Sequence, residues 1–418
     1  MNQLETITVR SQPILSAQRI SADGPGTILR DLETLIDFIG ERGLPTQSKH
    51  GNLPAAVLPE INARLAAPIG VPLKRALLQH FPNIAGLFVL LRVMDFARTD
   101  RKRLWIDAAA LAAWREFNPA EKYFALLEAW LFGADHMEIL GGEPRSWSNQ
   151  FSDNLEFLLK LKTDRWTAFH EYCHTTSSGG AVSTWNTHLQ IMFGLITVSE
   201  RALADRRSEN RGWMLEKARR TPWGEAVAAV VARAVIAADG GNEMSLYRSP
   251  ENAGFGFLQA AFGAYHPEWR RVFAVPRIAF QAGCHVFKAV MTDGRAHGAV
   301  WRRLAVPATE TLDALAFAVL AAFGFDDDEH LYEFRYVDRF GRGIVYFHPY
   351  TDEGPYASEI ALGDTGLPEL GVMKFRFDFG AYWRFELRLE RIDPPGGNTT
   401  DINVLEQAGD PPPQYEND

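Results

Sequence analysis

The pattern of apolar residues changes near residue 280, and this change limits the folds open to the chain. Before it, apolar residues recur at helical spacing, as in Thr27–Gly40 and Ile84–Met94. After it, short runs such as Trp383–Arg391 alternate as strands do, and Thr311–Phe323 has the pattern of a helix. These patterns predict an α+β protein with a mostly helical N-terminal region and a β-grasp-like α+β domain at the C-terminus.

Two stretches of the helical region predict the same order of helix, hairpin with a basic turn, and helix. In the first, the hairpin strands are Asp95–Arg98 and Leu104–Ile106; in the second they are Thr197–Val198 and Gly212–Glu216. A helix followed by a two-stranded wing is the order of a winged helix. Residues 30–235 are therefore interpreted as two diverged winged-helix-like units, with a helical bundle carrying two incidental hairpins as the alternative.

The remaining boundaries follow from composition. We predict an N-terminal extension over 1–29, a helical connector over 236–280, and the β-grasp-like domain over 281–395. Residues 396–418 are rich in proline and acid, and we expect them to form a loose tail.

Charge divides the chain at the same place. Residues 281–418 hold 12 Lys and Arg against 23 Asp and Glu, a net charge of −11, whereas residues 1–280 carry +2. An acidic domain is a poor candidate for binding a phosphate backbone, since nucleic-acid affinity comes largely from Lys and Arg. Any DNA contact is therefore expected in the N-terminal part.

The composition is that of an ordinary globular protein, with 46% hydrophobic and 23% charged residues. Two cysteines are too few for a disulfide framework, and no apolar run approaches the ~20 residues that cross a bilayer. We therefore expect a cytoplasmic protein with no membrane association.

Basic residues of the two hairpin turns are the candidate nucleic-acid contacts. They are Arg98, Arg101, Lys102, Arg103, Arg206, Arg207 and Arg211. A wing of this kind can follow a phosphate backbone while the preceding helix enters a groove. However, the preceding helices are apolar over Leu87–Leu91 and Ile191–Ile196. This favours a protein partner over DNA.

One motif predicts a metal site. His170, Glu171 and His174 match the His-Glu-x-x-His signature, in which two histidines on one helix face bind zinc and the glutamate activates water. A third ligand is not evident, because Ser177 and Gly180 stand where related proteases have a glycine and a histidine. A zinc-dependent hydrolase is therefore the alternative to a non-enzymatic protein without a cofactor.

Aromatic residues of the predicted strands form a candidate interaction surface. They are Trp301, Tyr332, Phe334 and Trp383, with packing in the core as the alternative. His330 and Glu333 are expected on opposite faces of their strand, because successive residues alternate. Asp378-Phe379-Gly380 predicts a turn with Gly380 at positive φ.

Five blocks of the C-terminal third resemble the plasmid pRiA4b ORF-3-like family. They are Trp301-Arg302-Arg303, Ala322-Phe323-Gly324-Phe325-Asp326, His330-Leu331-Tyr332-Glu333-Phe334, Phe377-Asp378-Phe379-Gly380 leading to Trp383-Arg384, and Pro411-Pro412-Pro413-Gln414-Tyr415. The chain departs from many relatives at Ala381, where they have an acid. The resemblance implies a plasmid or mobile-element protein of unsettled activity. We predict that it acts through protein or nucleic-acid contact.

Some relatives are labelled resolvases, but the residues here do not fit that chemistry. A serine recombinase needs its nucleophile two positions after an arginine, whereas Arg10 and Ser11 are adjacent and would lie on opposite faces of a strand.

Overall fold

The chain forms two compact units, Met1–Val275 and Pro276–Asp418. The computed structural model describes all residues except 1–10, 47–51, 72–74, 100–101, 133–149, 169–183, 203–212, 242, 244–245, 247–254, 275–278, 293, 296–298, 327–329, 338–342, 352–354, 396–400 and 416–418. Helices dominate the first unit and an antiparallel sheet dominates the second, so the chain is an α+β protein as predicted.

The first unit contains nine named helices and two small sheets in its described part. After a helical segment over 11–17, the helices are α1 (Ile28–Ile39), α2 (Leu58–Arg64), α3 (Pro82–Val93), α4 (Ala108–Arg115), α5 (Pro119–Phe132), α6 (Gln150–Lys160), α7 (Thr184–Met192), α8 (Pro222–Ala238) and α9 (Phe257–Gly263). The strands are β1 (Leu44–Pro45), β2 (Ala97–Thr99), β3 (Arg103–Ile106), β4 (Thr167–Ala168), β5 (Ile196–Ala202) and β6 (Trp213–Arg220).

Side-chain caps explain where several helices begin. The Asp107 carboxylate accepts hydrogen bonds from the Ala109 and Ala110 amides at 2.9 and 3.0 Å, which starts α4 directly after β3. At α8, the Thr221 hydroxyl accepts from the Gly224 amide at 2.8 Å, and Pro222 occupies the first helical position. Both hairpins therefore lead directly into a helix.

The two small sheets have the same topology. The first follows the order α1-β1-α2-α3-β2-β3, and its strands are arranged β1-β3-β2. In the second, α6, β4, α7, β5 and β6 follow one another, with residues 169–183 between β4 and α7 outside the described part, and the strands are arranged β4-β6-β5. Every pairing in both sheets is antiparallel. The interpretation as winged helices stays a prediction.

The second unit contains one seven-stranded sheet and a helix. Its elements are β7 (Cys284–Met291), β8 (Trp301–Pro307), α10 (Leu312–Ala322), β9 (Tyr332–Val337), β10 (Gly343–Phe347), β11 (Val372–Phe377), β12 (Trp383–Asp393) and β13 (Asn403–Ala408). The strand order is β10-β9-β11-β12-β7-β8-β13, antiparallel throughout. The β-grasp comparison remains a prediction.

Alternation along the strands divides this sheet into a buried and an open face. In β12, Trp383, Phe385, Leu387 and Leu389 are buried, while Arg384 and Arg388 between them are exposed. Leu315 and Val319 of α10 are fully buried in the same apolar cluster as these side chains. The helix side of the sheet is therefore the core, and the other side carries the charges.

The C-terminal segment differs from the loose tail that composition predicted. Residues 403–408 form β13, which pairs with β8 at one edge of the sheet. No residue of β13 is buried, so the strand has no buried face and its sequence has no alternation of buried and exposed positions. Backbone hydrogen bonds, which composition does not reveal, place it there.

Among the described helices, none combines the length and the apolar character that crossing a bilayer requires.

Candidate interaction surface

The predicted first wing lies on the β2–β3 hairpin, and one of its cations is already paired. Arg98 lies 2.8 Å from the Asp95 carboxylate and 3.1 Å from that of Asp107. Lys102 and Arg103 are exposed in and after the turn, and the Arg103 guanidinium donates to the Glu41 carbonyl at 3.2 Å. Arg101 and, in the second hairpin, Arg206, Arg207 and Arg211 lie outside the described residues. Phosphate contact by these turns stays a prediction.

The helices that precede the two hairpins are buried rather than presented to solvent. In α3 only Arg92 escapes full burial, and in α7 the residues from 185 to 190 are all buried. The two helices touch at Gly86, where a Cβ atom would lie 2.8 Å from Cγ of Leu189. Because their surfaces are used for packing, neither helix can enter a nucleic-acid groove without unfolding this core.

The polar side chains of α7 are also used inside the protein. Asn186 accepts a hydrogen bond from the Trp130 indole at 2.8 Å, and Gln190 donates to Asn154 at 3.3 Å. A helix that reads bases needs such groups free at its surface. The first unit therefore resembles a packing scaffold more than a reader of sequence.

The predicted zinc ligands His170 and His174, and the catalytic Glu171, lie outside the described residues. Within the part of the chain that the structure describes, no group of three or more His, Cys, Asp or Glu side chains could hold a metal ion.

Three of the four aromatic residues predicted to contact a partner lie in the core of the second unit. Tyr332 and Phe334 are fully buried and Trp383 is 2% exposed. They point to the helix side of the sheet, where Trp383 meets the ring of Phe325 at 4.7 Å between centroids. A partner cannot reach these side chains, and core packing accounts for them. Only Trp301 of the four is half-exposed.

The turn between β11 and β12 is built around the Asp378 carboxylate. Asp378 and Tyr382 have positive φ, 53° and 62°. Gly380 does not, so the prediction of a positive φ at Gly380 is wrong. Oδ1 of Asp378 accepts from the amides of Gly380 and Ala381 at 2.9 and 3.1 Å. The carboxylate thus holds the turn from within, as aspartate does in local turn motifs.

The C-terminal segment closes over this turn. The Tyr415 hydroxyl donates to Oδ2 of Asp378 at 2.9 Å, and Nδ1 of His330 lies 3.8 Å from the same oxygen. Burial opposes ionisation of Asp378, but the hydrogen bonds from Ala381, Tyr415 and Gly380 outweigh it, so its pKa lies below the ordinary value. The carboxylate is charged and occupied by the protein's own donors.

A pair of hydrogen bonds fixes the preceding residue of the segment, Gln414. Gln414 accepts from the Asp326 amide at 2.6 Å and donates to the Asp326 carbonyl at 2.8 Å. The segment therefore joins the loop after α10 to the β11–β12 turn.

The open face of the C-terminal sheet is the most unusual surface that the structure describes. Apart from Arg391, which follows the bulge in β12 and pairs with Asp393, seven cations occupy its outward positions. We call this surface the basic face: Lys288, Arg303, Arg335, Lys374, Arg376, Arg384 and Arg388. Residues 276–418 as a whole hold 13 Lys and Arg against 23 Asp and Glu. More than half of the unit's cations thus lie on one face of an acidic unit.

Like charges stand directly opposite one another on neighbouring strands of the basic face. Lys288 faces Arg388 on one side and Arg303 on the other. Arg376 likewise faces Arg384. Lys374 faces Arg335 in the same way. Such pairs destabilise a sheet, so folding alone does not favour them.

Four carboxylates lie among these cations and neutralise only part of them. Glu333 is 3% exposed and is held by Arg335 at 2.6 Å and Arg376 at 3.1 Å. Glu390 and Glu406 both pair with Arg303. Glu386 faces Lys374 across the strands.

Three cations of the face make no ion pair in the described part of the chain, although Glu386 stands opposite one of them, Lys374. Among the described residues, no carboxylate lies within 4.0 Å of Lys288, Lys374 or Arg388. Their charges are therefore available to an anionic partner.

The basic face was missed by the sequence reasoning, although a signal for it is present. Lys374 and Arg376 alternate with buried residues in β11, and Arg384 and Arg388 do so in β12. Cations at every second position of neighbouring strands share one face. The summed charge of the domain concealed this segregation.

Residues 286–415 match the family model described as plasmid pRiA4b ORF-3-like protein. A solved structure, the protein of unknown function MM3350 from Methanosarcina mazei Go1, is similar over 31% of this chain and 72% of that chain, with 25% sequence identity and a TM-score of 0.27. No curated protein matches the chain.

Proposed function

We propose that this chain, whose residues 286–415 match the plasmid pRiA4b ORF-3-like family model, is a non-enzymatic plasmid- or mobile-element-associated protein that holds an anionic macromolecule on its basic face. The observation that carries the proposal is the set of like-charged pairs across β9, β11, β12, β7 and β8. An anionic partner placed on these cations converts their mutual repulsion into attraction.

Burial of aliphatic stems does not account for these cations. Lys374 and Arg388 are exposed, and threonine or glutamine would satisfy an open strand position at no electrostatic cost. The acidic remainder of the unit favours solubility and repels anions from its other surfaces. Contact is thereby directed to one face.

We further propose that the first unit consists of two winged-helix-like modules that serve as a scaffold. Their repeated topology, β1-β3-β2 and β4-β6-β5 after an initial helix, supports this interpretation. The burial of α3 and α7 against each other supports a packing role. In this arrangement the turn residues Lys102 and Arg103 remain accessible for an auxiliary phosphate contact.

Retention on immobilised heparin, a polyanion, tests the proposed function. The triple variant Lys288→Gln, Lys374→Gln, Arg388→Gln is expected to elute at clearly lower salt than the unmodified protein, because it loses the three unpaired cations. A matched control changes three exposed arginines of the first unit, Arg19→Gln, Arg30→Gln and Arg42→Gln. Equal shifts in both variants would mean that net charge, not the basic face, controls retention, and the proposal would fail.

The wing contribution is measured in the same assay. Arg101, Lys102 and Arg103 are changed to Ala in addition to the three changes on the basic face. If the first hairpin contacts the polyanion, this variant elutes at lower salt than the one with the three changes alone. An unchanged elution would remove these turn residues from the proposed contact surface.

A further inference from the structure

Exposed aromatic rings border the basic face, and cations lie over them. Phe379 and Tyr382, in the β11–β12 turn, are 39% and 46% exposed. The Arg376 guanidinium carbon lies 4.5 Å from the centroid of Phe379 and 5.1 Å from that of Tyr382. Across the sheet, Nζ of Lys288 lies 4.4 Å from the ring centroid of half-exposed Trp301.

Strand pairing fixes the separation of these two aromatic groups. Trp301 is in register with Val290 on β7, which is in register with Glu386 on β12. Trp301 is thus two strands across and two residues along from Arg384, the residue that follows Tyr382 and Trp383. With strands about 4.8 Å apart and about 3.4 Å per residue, Trp301 and Arg384 are about 12 Å apart in the plane of the sheet. Tyr382 and Phe379 lie beyond Arg384, in the β11–β12 turn.

From this arrangement we infer that the anionic partner is a single-stranded nucleic acid, an inference that rests on the proposed function. Its phosphates meet Lys288, Lys374 and Arg388. Its unstacked bases pack on the rings of Phe379 and Tyr382 at one end and reach Trp301 at the other. Cations that follow the backbone together with rings that stack bases are the two components of single-strand recognition.

The width of the face argues against a duplex read in its groove. The major groove of B-DNA is about 12 Å wide and admits a helix or a two-stranded ribbon. The cations here span five adjacent strands, about 19 Å at about 4.8 Å per strand. Such a surface can only lie across a duplex backbone, where the bases are stacked inside and the aromatic rings have no base to contact.

The rings likewise argue against an acidic peptide. Glutamate and aspartate side chains are recognised by charge, and the exposed faces of Phe379 and Tyr382 would add nothing to that contact. A nucleic acid uses both the rings and the cations. The aromatic residues therefore distinguish the two classes of partner.

Fluorescence anisotropy with labelled probes tests the inference. The probes are a mixed-sequence DNA single strand, the same sequence as RNA, the corresponding DNA duplex, and poly-glutamate, each titrated with the full chain over a range of salt. We expect both single strands to bind more tightly than the duplex or poly-glutamate. The DNA and RNA arms show which sugar is preferred.

Two variants separate the stacking from the charge. Phe379→Ala with Tyr382→Asn is expected to weaken single-strand binding by about tenfold or more while leaving the salt dependence unchanged, because base stacking is not ionic. Asparagine is chosen because it tolerates the positive φ of Tyr382. The triple variant Lys288→Gln, Lys374→Gln, Arg388→Gln is expected to reduce the slope of log K against log salt by about 2, from about 0.7 per phosphate contact on a single strand.

Controls make the outcomes decisive. Tyr350→Ala removes an aromatic ring that is 83% exposed and in the same unit, and it is expected to leave binding unchanged. Thermal unfolding checks that each variant is folded. Poly-glutamate binding as tight as single-strand binding, or an aromatic variant that binds normally, overturns the inference while the heparin result still supports the proposed function. Loss of both the single-strand complex and the heparin difference overturns both.

Discussion

His285 gives the second unit a pH-dependent stability that can be worked out from its surroundings. The side chain is fully buried, and neither ring nitrogen has a hydrogen-bond partner among the residues that the structure describes. It lies in β7 between Val306 of β8 and Ile392 of β12, with the ring of Phe287 stacked at 6.4 Å. Burial among apolar groups disfavours the imidazolium and lowers the pKa of His285 to about 4.

The direction and size of the effect follow from linkage. In the unfolded chain the pKa of histidine is about 6.5, so below that pH the unfolded state binds a proton that the folded state refuses. The free energy of unfolding therefore falls as the pH falls from about 6.5 to about 4. The full loss is about 3 kcal/mol, at about 1.4 kcal/mol for each unit of pKa difference, and about 2 kcal/mol of it is present at pH 5.

The measurement compares the protein with His285→Leu, in which an apolar side chain that does not titrate takes the place of the imidazole. Hydrogen exchange of peptides covering β7 and β12, followed by mass spectrometry in increasing denaturant at pH 7.5 and pH 5.0, reports the opening of this unit alone. All other titrating groups are common to both proteins and cancel in the difference. The unmodified protein should lose about 2 kcal/mol relative to the variant between the two pH values.

A constant difference between the two proteins would refute the reasoning. It would mean that the imidazole is protonated as readily in the folded unit as in the unfolded chain, which requires water or an acceptor at a nitrogen that the structure leaves unpartnered. If the free energy of unfolding of His285→Leu exceeded that of the unmodified protein by more at pH 7.5 than at pH 5.0, the effect would have the opposite sign. Burial would then be excluded as its cause.

Two further predictions test the contact between the buried helices and the anchoring of the C-terminal segment. Gly86→Ala is expected to destabilise the first unit by about 1–3 kcal/mol, because the new Cβ would lie 2.8 Å from Leu189, although alanine is otherwise the better helix residue. Leu189→Val should recover part of this loss in chemical unfolding, and a stabilising Gly86→Ala would show that the helices do not touch there. Tyr415→Phe should cost about 1 kcal/mol near pH 7 by removing the donor to Asp378, and this cost should shrink as the pH falls through the pKa of Asp378, which lies below its ordinary value. Hydrogen exchange around residues 378–382 measures it, with Tyr350→Phe as the control, and equal exchange in both variants would mean that the segment is not held by this bond.

The spacing of apolar residues predicts much of the architecture, because a half-buried helix or strand repeats apolar residues at the period of its buried face. The strand β3 lies where the sequence predicts it, β2 overlaps its predicted strand at Ala97 and Arg98, and α10 lies within the predicted helix over Thr311–Phe323. By contrast, β13 has no buried face, so no alternation marked it, and its backbone pairing with β8 is a contact between residues about a hundred positions apart. Local composition does not predict such pairing.

The aromatic residues show a different limit. A strand with alternating aromatic and charged residues predicts two faces but not which of them is covered. The interaction surface was assigned to Tyr332, Phe334 and Trp383, and the helix α10 covers that face; the charged residues between them form the open one. Choosing the covered face requires knowing where the helix packs, which is a tertiary contact.

The same alternation changes what the charge of this domain means. A net charge of −11 over residues 281–418 argued against a nucleic-acid partner on the assumption that charge is spread evenly. Lys374 and Arg388 lie on a face where cations outnumber carboxylates seven to four, and the field that a partner meets at contact is set by charges within about 10 Å. At physiological salt the acids elsewhere in the unit are largely screened from that face. A polyanion at this face therefore meets the local sign and not the sum, so the net charge of the domain is no argument against phosphate contact at its open sheet.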